Sequence, residues 1–536
     1  MRLLRVFAAG LTGLTMTGLA LADVTPHPIF SDHMVLQRDV PVTVWGKADP
    51  KEAVTVSIGP AKVQGEADDK GMWSVTLPAH KAGTDLTLTI AGKNTVTFKN
   101  VAYGDVWVCS GQSNMEWTLR MLPKDDQGMT VAKSAANPMI RLITIQKRPS
   151  GKPEYDFPVV ASKRKFGEQE ITVTAGKWEE CKPETVYDFS AVGYFFGKDI
   201  QSSQKIPVGL IADNWGGTPA EAWTSREALD AVPELKYYHE RFDKALASFD
   251  EAKAEKDYQA AMAKWKEATE KAKAEGKPLP RQPFKASAPS RNPNSPSTLF
   301  NGMLHPIVKF QVKGAIWYQG ESNAGRAREY YTLLPTMISD WRKQFNQPLP
   351  FFVVQLAPFR ASGNDKVEYA ELRDSQWQTS KRMKDVGTAI ITDVGDETDI
   401  HPQQKGPVGQ RLALCARAMV YGENVEYLGP EYAGQTIAGD KVTITFKNAK
   451  GLMAKGGDVV GFTVCGEDKV FKPAKAVVSG ETIIVSAEGV EKPVAVRFGW
   501  VNFAKPTLNL YNGAGLPAVP FRTDDFPLTT QMPGKP

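Results

Sequence analysis

The sequence predicts an α/β protein whose parallel sheet lies between two all-β regions. Five short apolar runs, DVWVCSG (105–111), IPVGLIA (206–212), KGAIWYQG (313–320), PFFVVQLA (350–357) and VGTAIITD (386–393), are separated by longer helix-like stretches. That is the pattern of strands covered on both faces by crossover helices. On either side, residues 23–100 and 422–536 alternate β-type runs with turn residues, as half-buried antiparallel strands do. A chain of 536 residues also exceeds what one hydrophobic core organises.

Taken in order, MRLLRVFAAGLTGLTMTGLALA (1–22) carries two arginines, a short apolar stretch and small residues before Asp23. It reads as a cleaved signal peptide, so the mature chain is expected in the periplasm or outside the cell. No cysteine follows the cut and no later stretch is apolar for long enough to span a bilayer, so no membrane anchor is expected. Residues 23–100 hold VTVW, VTVSI, WSVTL and LTLTI and form the N-terminal β domain. The α/β core is expected over 101–421. Within it, 120–185 lacks periodicity and reads as loops beside the site. Residues 226–280, rich in Ala, Lys and Glu, read as a solvated helical insertion. From 422 onward KVTITF, GFTVC, TIIVS and VAVRFGW mark a C-terminal β domain.

Composition narrows the function. The balance of 42% hydrophobic and 23% charged residues is that of a globular protein. Losing Arg2 and Arg5 with the leader lowers the formal charge from +5 to +3, which gives no reason to expect nucleic acid. There is no HExxH and no CxxC, so neither a metal nor any other cofactor is expected. The four cysteines are too scattered for a disulfide to be read from spacing. Oligomeric state is not legible.

The sharpest local feature is CSGQSNMEW (109–117), at the end of a buried strand. In open α/β sheets ligands bind at strand ends, and a serine opening a helix there has unpaired N–H groups able to hold an oxyanion. Ser113 is therefore a candidate nucleophile; a plain helix cap is the alternative. Of six histidines, His27, His33 and His80 fall in the N-terminal β domain, His239 in the insertion, and His305 between elements. His401, in DVGDETDIHP after the last core strand, is the candidate base. Asp393, Asp396 and Asp399 are near enough to orient it, with Asp399 preferred and a backbone carbonyl as the alternative. Gly216 and Gly217 in ADNWGGTPAEAW offer backbone donors, and Gln319 or Asn323 in WYQGESNA a side-chain amide for the oxyanion. Gln112, Asn114 and Glu321 are expected to touch substrate.

Together, MVLQRDVPVTVWG, VCSGQSNMEW, DNWGGTPAEAW, IWYQGESNA, DVGDETDIHP and LYNGAGLPAVPFRTDDFP resemble the sialate O-acetylesterase family, within the SGNH or GDSL-like hydrolases, over nearly the whole mature chain. The resemblance implies a flavodoxin-like core with accessory β domains and metal-free hydrolysis through an acyl-enzyme. It places the nucleophile on Ser113, the base on His401, and the oxyanion donors on the Ser113 amide, a glycine of 214–217 and an amide among Gln319 to Asn323. Two departures stand out. Thr398 occupies the position three before the histidine where the superfamily has Asp, and QGESN replaces its glycine-x-asparagine-aspartate block.

The implied substrate is an O-acetylated sugar, with sialic acid expected and acetylated xylan or another polysaccharide as the alternative. A sialic acid carboxylate calls for an arginine, and Arg326 and Arg328 lie beside QGESNA. Two other classes remain: a glycosidase on Glu321 and Asp396, and a non-catalytic sugar-binding protein.

Overall fold

The computed structural model describes residues 23–122, 127–360 and 367–531; the leader expected at 1–22 lies outside them. Its organising element is strand β1 (Thr95–Gly111), 17 residues long. The sequence explains its two roles. TVTFKN alternates and is half exposed, pairing antiparallel with Gly83–Ala91, whereas VAYGDVWVCSG is buried throughout and enters the core sheet. One strand thus runs without a break across position 100.

The other core strands are β2 (Asn137–Thr144), β5 (Glu179–Cys181), β6 (Val208–Asn214), β7 (Gly314–Tyr318), β8 (Phe351–Val354) and β9 (Val386–Ala389); β3 (Val160–Phe166) and β4 (Gln169–Ala175) form a separate hairpin. The order is β5-β2-β6-β1-β7-β8-β9, parallel except for β5 at the edge. The chain steps from β1 to one side for β2 and β6, then to the other for β7, β8 and β9. The crevice expected at such a switch point lies over the C-terminal end of β1. Segment 120–185 is more ordered than its pattern suggests, since it supplies β2, β5 and the hairpin.

Alternate residues of these strands feed two cores. Val106, Val108, Ala315, Trp317, Phe351 and Val353 point to one face, packed under helices Ala327–Phe345 and Glu368–Arg382. Trp107, Cys109, Leu210, Ile316, Phe352 and Val354 point to the other, under Ala191–Gln204 and Lys405–Met419. Burial on both faces is why these runs read as continuously apolar. The insertion forms helices Arg226–Asp230, Tyr237–Ala247 and Glu251–Ala274. The longest buries only Ala254 and Thr269, which accounts for its charged composition.

The C-terminal region holds two four-stranded antiparallel sheets around their own apolar cluster. Buried Arg373 fixes it to the core, donating to the carbonyls of Leu356, Val501 and Asn502 at 3.0, 2.9 and 2.7 Å. All four cysteines are buried and unpaired. No described helix is long and apolar enough to cross a membrane.

Candidate active site

Strand β1 ends at Gly111, whose φ of +138° favours glycine; a Cβ there would lie 2.2 Å from the Tyr318 carbonyl oxygen on β7. This close approach turns the chain into a one-turn helix, Ser113–Glu116. Ser113 is its first residue, and the Ser113 and Asn114 amides find no acceptor among the described residues. Gln112 spends its side-chain oxygen on the Gly320 and Ser322 amides, both at 3.3 Å, which ties this turn to the one after β7.

His401 comes in from the loop after β9. Its Nε2 stands 2.9 Å from Ser113 Oγ, hydrogen-bond distance for a hydroxyl and an imidazole. The ring stacks on Trp117 with centroids 4.5 Å apart and planes 23° apart. Burial pushes the His401 pKa below its usual 6.5, and the positive Lys405 pushes the same way; Asp399 opposes both. A lowered pKa keeps the imidazole neutral, and so basic, at neutral pH.

The three aspartates have separate fates. Asp393 forms a two-pronged pair with Arg411 at 2.6 and 2.8 Å and accepts from Tyr511. Asp396 closes a turn, accepting from the amides of Thr398 and Asp399 at 2.7 and 2.8 Å. Asp399 alone reaches the histidine: one oxygen accepts the His401 backbone N–H at 2.8 Å and lies 3.6 Å from Nδ1. That second distance makes an ion pair if the imidazole protonates, not a hydrogen bond at rest.

Asn114 faces inward. Its amide donates to Glu321 Oε1 at 2.6 Å and to the Ile400 carbonyl at 3.1 Å, and its oxygen accepts from Lys405 Nζ at 2.5 Å. It therefore fastens the nucleophile's helix to the residue preceding His401. Lys405 is 1% exposed, and burial drives its pKa down to about 7. Burial likewise raises the Glu321 carboxyl, whose Oε2 is sealed in without a partner. Asn114 and Glu321, expected at the substrate, instead brace the site from beneath.

The cluster after β7 is also turned inward. Gln319 is fully buried; its two amide hydrogens go to Asn323 Oδ1 at 2.6 Å and the Thr218 carbonyl at 3.3 Å, and its oxygen accepts from Tyr330. Asn323 accepts from the Ala220 amide and donates to Glu221. Gln319 thus has no hydrogen left for an oxyanion, and Asn323 keeps one. The Gly216 N–H is taken by Glu116 Oε2 at 2.5 Å, although a Cβ on Gly216 would come within 3.2 Å of the Ser113 Cβ. Gly217, at φ +75° with open space around it, has an amide with no acceptor among the described residues.

Arg326 is locked to Glu221 and Glu329 at 2.7 and 3.1 Å, and Arg328 lies over the Tyr331 ring. The first of these has no fork left for a substrate carboxylate. His239 and His305 hydrogen-bond structurally, to Asp230 and Ser297 and to the Glu154 carbonyl. No cluster of metal-ligating side chains occurs among the described residues. Sequence reasoning missed Trp117, Glu116 and Lys405. Trp117 follows Ser113 by one helical turn and was legible from that spacing; a lysine opening a helix carries no sign that it will be buried.

A family description, carbohydrate esterase of the sialic acid-specific acetylesterase type, matches residues 292–418. The solved structure of a carbohydrate acetylesterase from Xanthomonas citri superposes with a TM-score of 0.76 at 33% identity, covering 94% of this chain and all of that one. The chain belongs to the sialate O-acetylesterase family of carbohydrate esterases. It is similar along most of its length to the mouse sialate O-acetylesterase, at 26% identity over 91% of this chain and 92% of that protein. The human sialate O-acetylesterase is 25% identical over 94% and 92%. In this esterase the matched segment contains His401 and Lys405, while Ser113 precedes it.

Proposed function

We propose that this esterase removes O-acetyl groups from sialic acids through an acetyl-enzyme on Ser113. The observation that carries the mechanism is the 2.9 Å approach of His401 Nε2 to Ser113 Oγ at the end of β1. The relatives named as sialate O-acetylesterases support the substrate. His401 takes the hydroxyl proton as Ser113 Oγ attacks the acetyl carbonyl carbon. Negative charge develops on the carbonyl oxygen, where the free amides of Ser113 and Gly217 and the remaining amide hydrogen of Asn323 are the available donors; such a donor contributes about 2.7–4 kcal/mol. His401 passes the proton to the departing sugar oxygen. It then deprotonates a water, whose attack on the acetyl carbon releases acetate and restores Ser113. Asp399 steadies the imidazolium formed in both halves of the reaction.

The glycosidase reading loses its geometry, since Glu321 is spent on Asn114 and Asp396 on a turn. Export through residues 1–22, leaving the ester-cleaving chain outside the cytoplasm, belongs to the same proposal, as does the division into domains at 100 and 421. Acetate release from O-acetylated sialic acid and from acetylated xylan, by the parent and by Ser113→Ala, tests it. Release from the sialic acid that vanishes in the variant supports mechanism and substrate; release from xylan alone discards the substrate; release persisting in Ser113→Ala discards the nucleophile.

A further inference from the structure

The loop after β6 carries one of the free donors, the Gly217 amide, and the path of that loop decides where the amide stands. Its flanks are fastened to fixed structure. The Trp215 amide donates to the Gly111 carbonyl at 3.1 Å, carrying the β6–β1 ladder one residue further. Past the turn, the Thr218 hydroxyl donates to the Trp215 carbonyl at 2.7 Å, and the Thr218 carbonyl accepts from Gln319 at 3.3 Å. Between these anchors lie Gly216 and Gly217, two residues with the widest choice of backbone conformation.

Among the described residues one side chain bonds that stretch. Glu116 Oε2 accepts the Gly216 N–H at 2.5 Å, and a bond to a charged acceptor is of the stronger kind. Glu116 closes the same helical turn that Ser113 opens. A Cβ built on Gly216 would lie 3.1 Å from Glu116 Oε2 and 3.2 Å from Ser113 Cβ, so carboxylate and nucleophile flank one glycine.

The second carboxylate oxygen is also engaged. Oε1 accepts from the Lys147 ammonium, which follows the end of β2 and lies 5.4 Å from the centre of the Trp215 ring. Glu116 is thus held from both sides, by the lysine and by the loop it grips. Its side chain is 32% exposed, and an ion pair so placed adds little to folding stability.

We propose that Glu116 is a positioning residue for the oxyanion: by gripping the Gly216 N–H it fixes the neighbouring Gly217 amide relative to Ser113. The attacked carbonyl must meet the serine hydroxyl and the oxyanion donor at the same moment, and Glu116 ties both to one helical turn. A donor already in place costs no reorganisation when the charge appears. The inference rests on the acetyl-enzyme reading above.

The test compares the parent with Glu116→Ala and Glu116→Gln on p-nitrophenyl acetate, with an alkylboronic acid, whose boron takes up the Ser113 oxygen to become tetrahedral, as inhibitor. In Glu116→Ala, kcat should fall about tenfold or more, short of the hundred- to thousandfold lost with a whole oxyanion donor, while KM stays within about twofold. The inhibition constant of the boronic acid should rise by about the same factor as kcat falls, since a transition-state analogue uses the same donors. Glu116→Gln keeps an oxygen for Gly216 and should recover most of the rate. A parent-like kcat in Glu116→Ala overturns the proposal, as does a loss confined to KM. So does a lower kcat with an unchanged inhibition constant, the result a smaller folded fraction would give. A parent that the boronic acid fails to inhibit overturns the Ser113 reading itself, and this one with it.

Discussion

Two polar clusters sit at neighbouring strand ends, GQSN after β1 and QGESN after β7, and as strings of residues they look alike. In space they differ. Ser113 opens a helix with unsatisfied amides and a hydroxyl facing His401. Gln319 and Asn323 are sealed among Thr218, Ala220, Glu221 and Tyr330. A catalytic group needs unspent hydrogen-bonding capacity at the surface, whereas a buried amide needs every bond made. The first cluster meets the condition for chemistry; in the second, Gln319 meets the condition for stability while Asn323 keeps one amide hydrogen unspent.

The contrast can be broken most directly at the nucleophile. Ser113→Ala should lower kcat by at least about a thousandfold, with an unchanged melting temperature; residual activity near the parent's would end the distinction. Gln319→Ala should do the reverse. By orphaning Asn323, Thr218 and Tyr330 it should cost about 1–3 kcal/mol of stability by denaturant unfolding, and a variant that unfolds like the parent but loses turnover would return Gln319 to the oxyanion.

Asp399→Asn sharpens the picture on the His401 side. Because the carboxylate is 41% exposed and 3.6 Å from Nδ1, kcat should fall only about tenfold or less. A loss as deep as that of Ser113→Ala would make Asp399 an indispensable third member.

The smallest effect is expected beneath the site. Lys405 lowers the His401 pKa, so Lys405→Met should raise it and move the acid limb of kcat/KM to higher pH. The groups facing Lys405 are Glu321, Asp399 and the rings of Trp117 and Tyr318. A stability difference should accompany the shift. Lys405 has a folded pKa of about 7 against an ordinary 10.5, so between those values the unfolded chain binds the extra proton and the parent gains stability as pH rises. Lys405→Met should lack that gain in urea titrations at pH 7 and 9.

Much of this was legible in the chain. Continuous apolar runs mark strands covered on both faces, and all five of those named lie in the core sheet. The position of CSGQSN at a strand end and of DIHP after the last core strand singled out Ser113 and His401, which the fold brings to 2.9 Å. Strand β2 escaped notice because PMIRLIT is short and enters the sheet from a segment otherwise lacking periodicity. The hairpin escaped because VASKRKF carries three cations and neither of its strands is a continuous apolar run, as befits a ribbon in solvent.

By itself the sequence determined the class of fold, the two residues in line for the chemistry and the family to which the chain belongs, because these depend on local pattern and residue type. The tertiary structure alone decided among three nearby aspartates, turned Asn114 and Glu321 inward, buried Lys405 and spent the hydrogens of Gln319. Which bonds a polar side chain makes depends on partners 100 to 300 residues away, and no local pattern encodes that pairing.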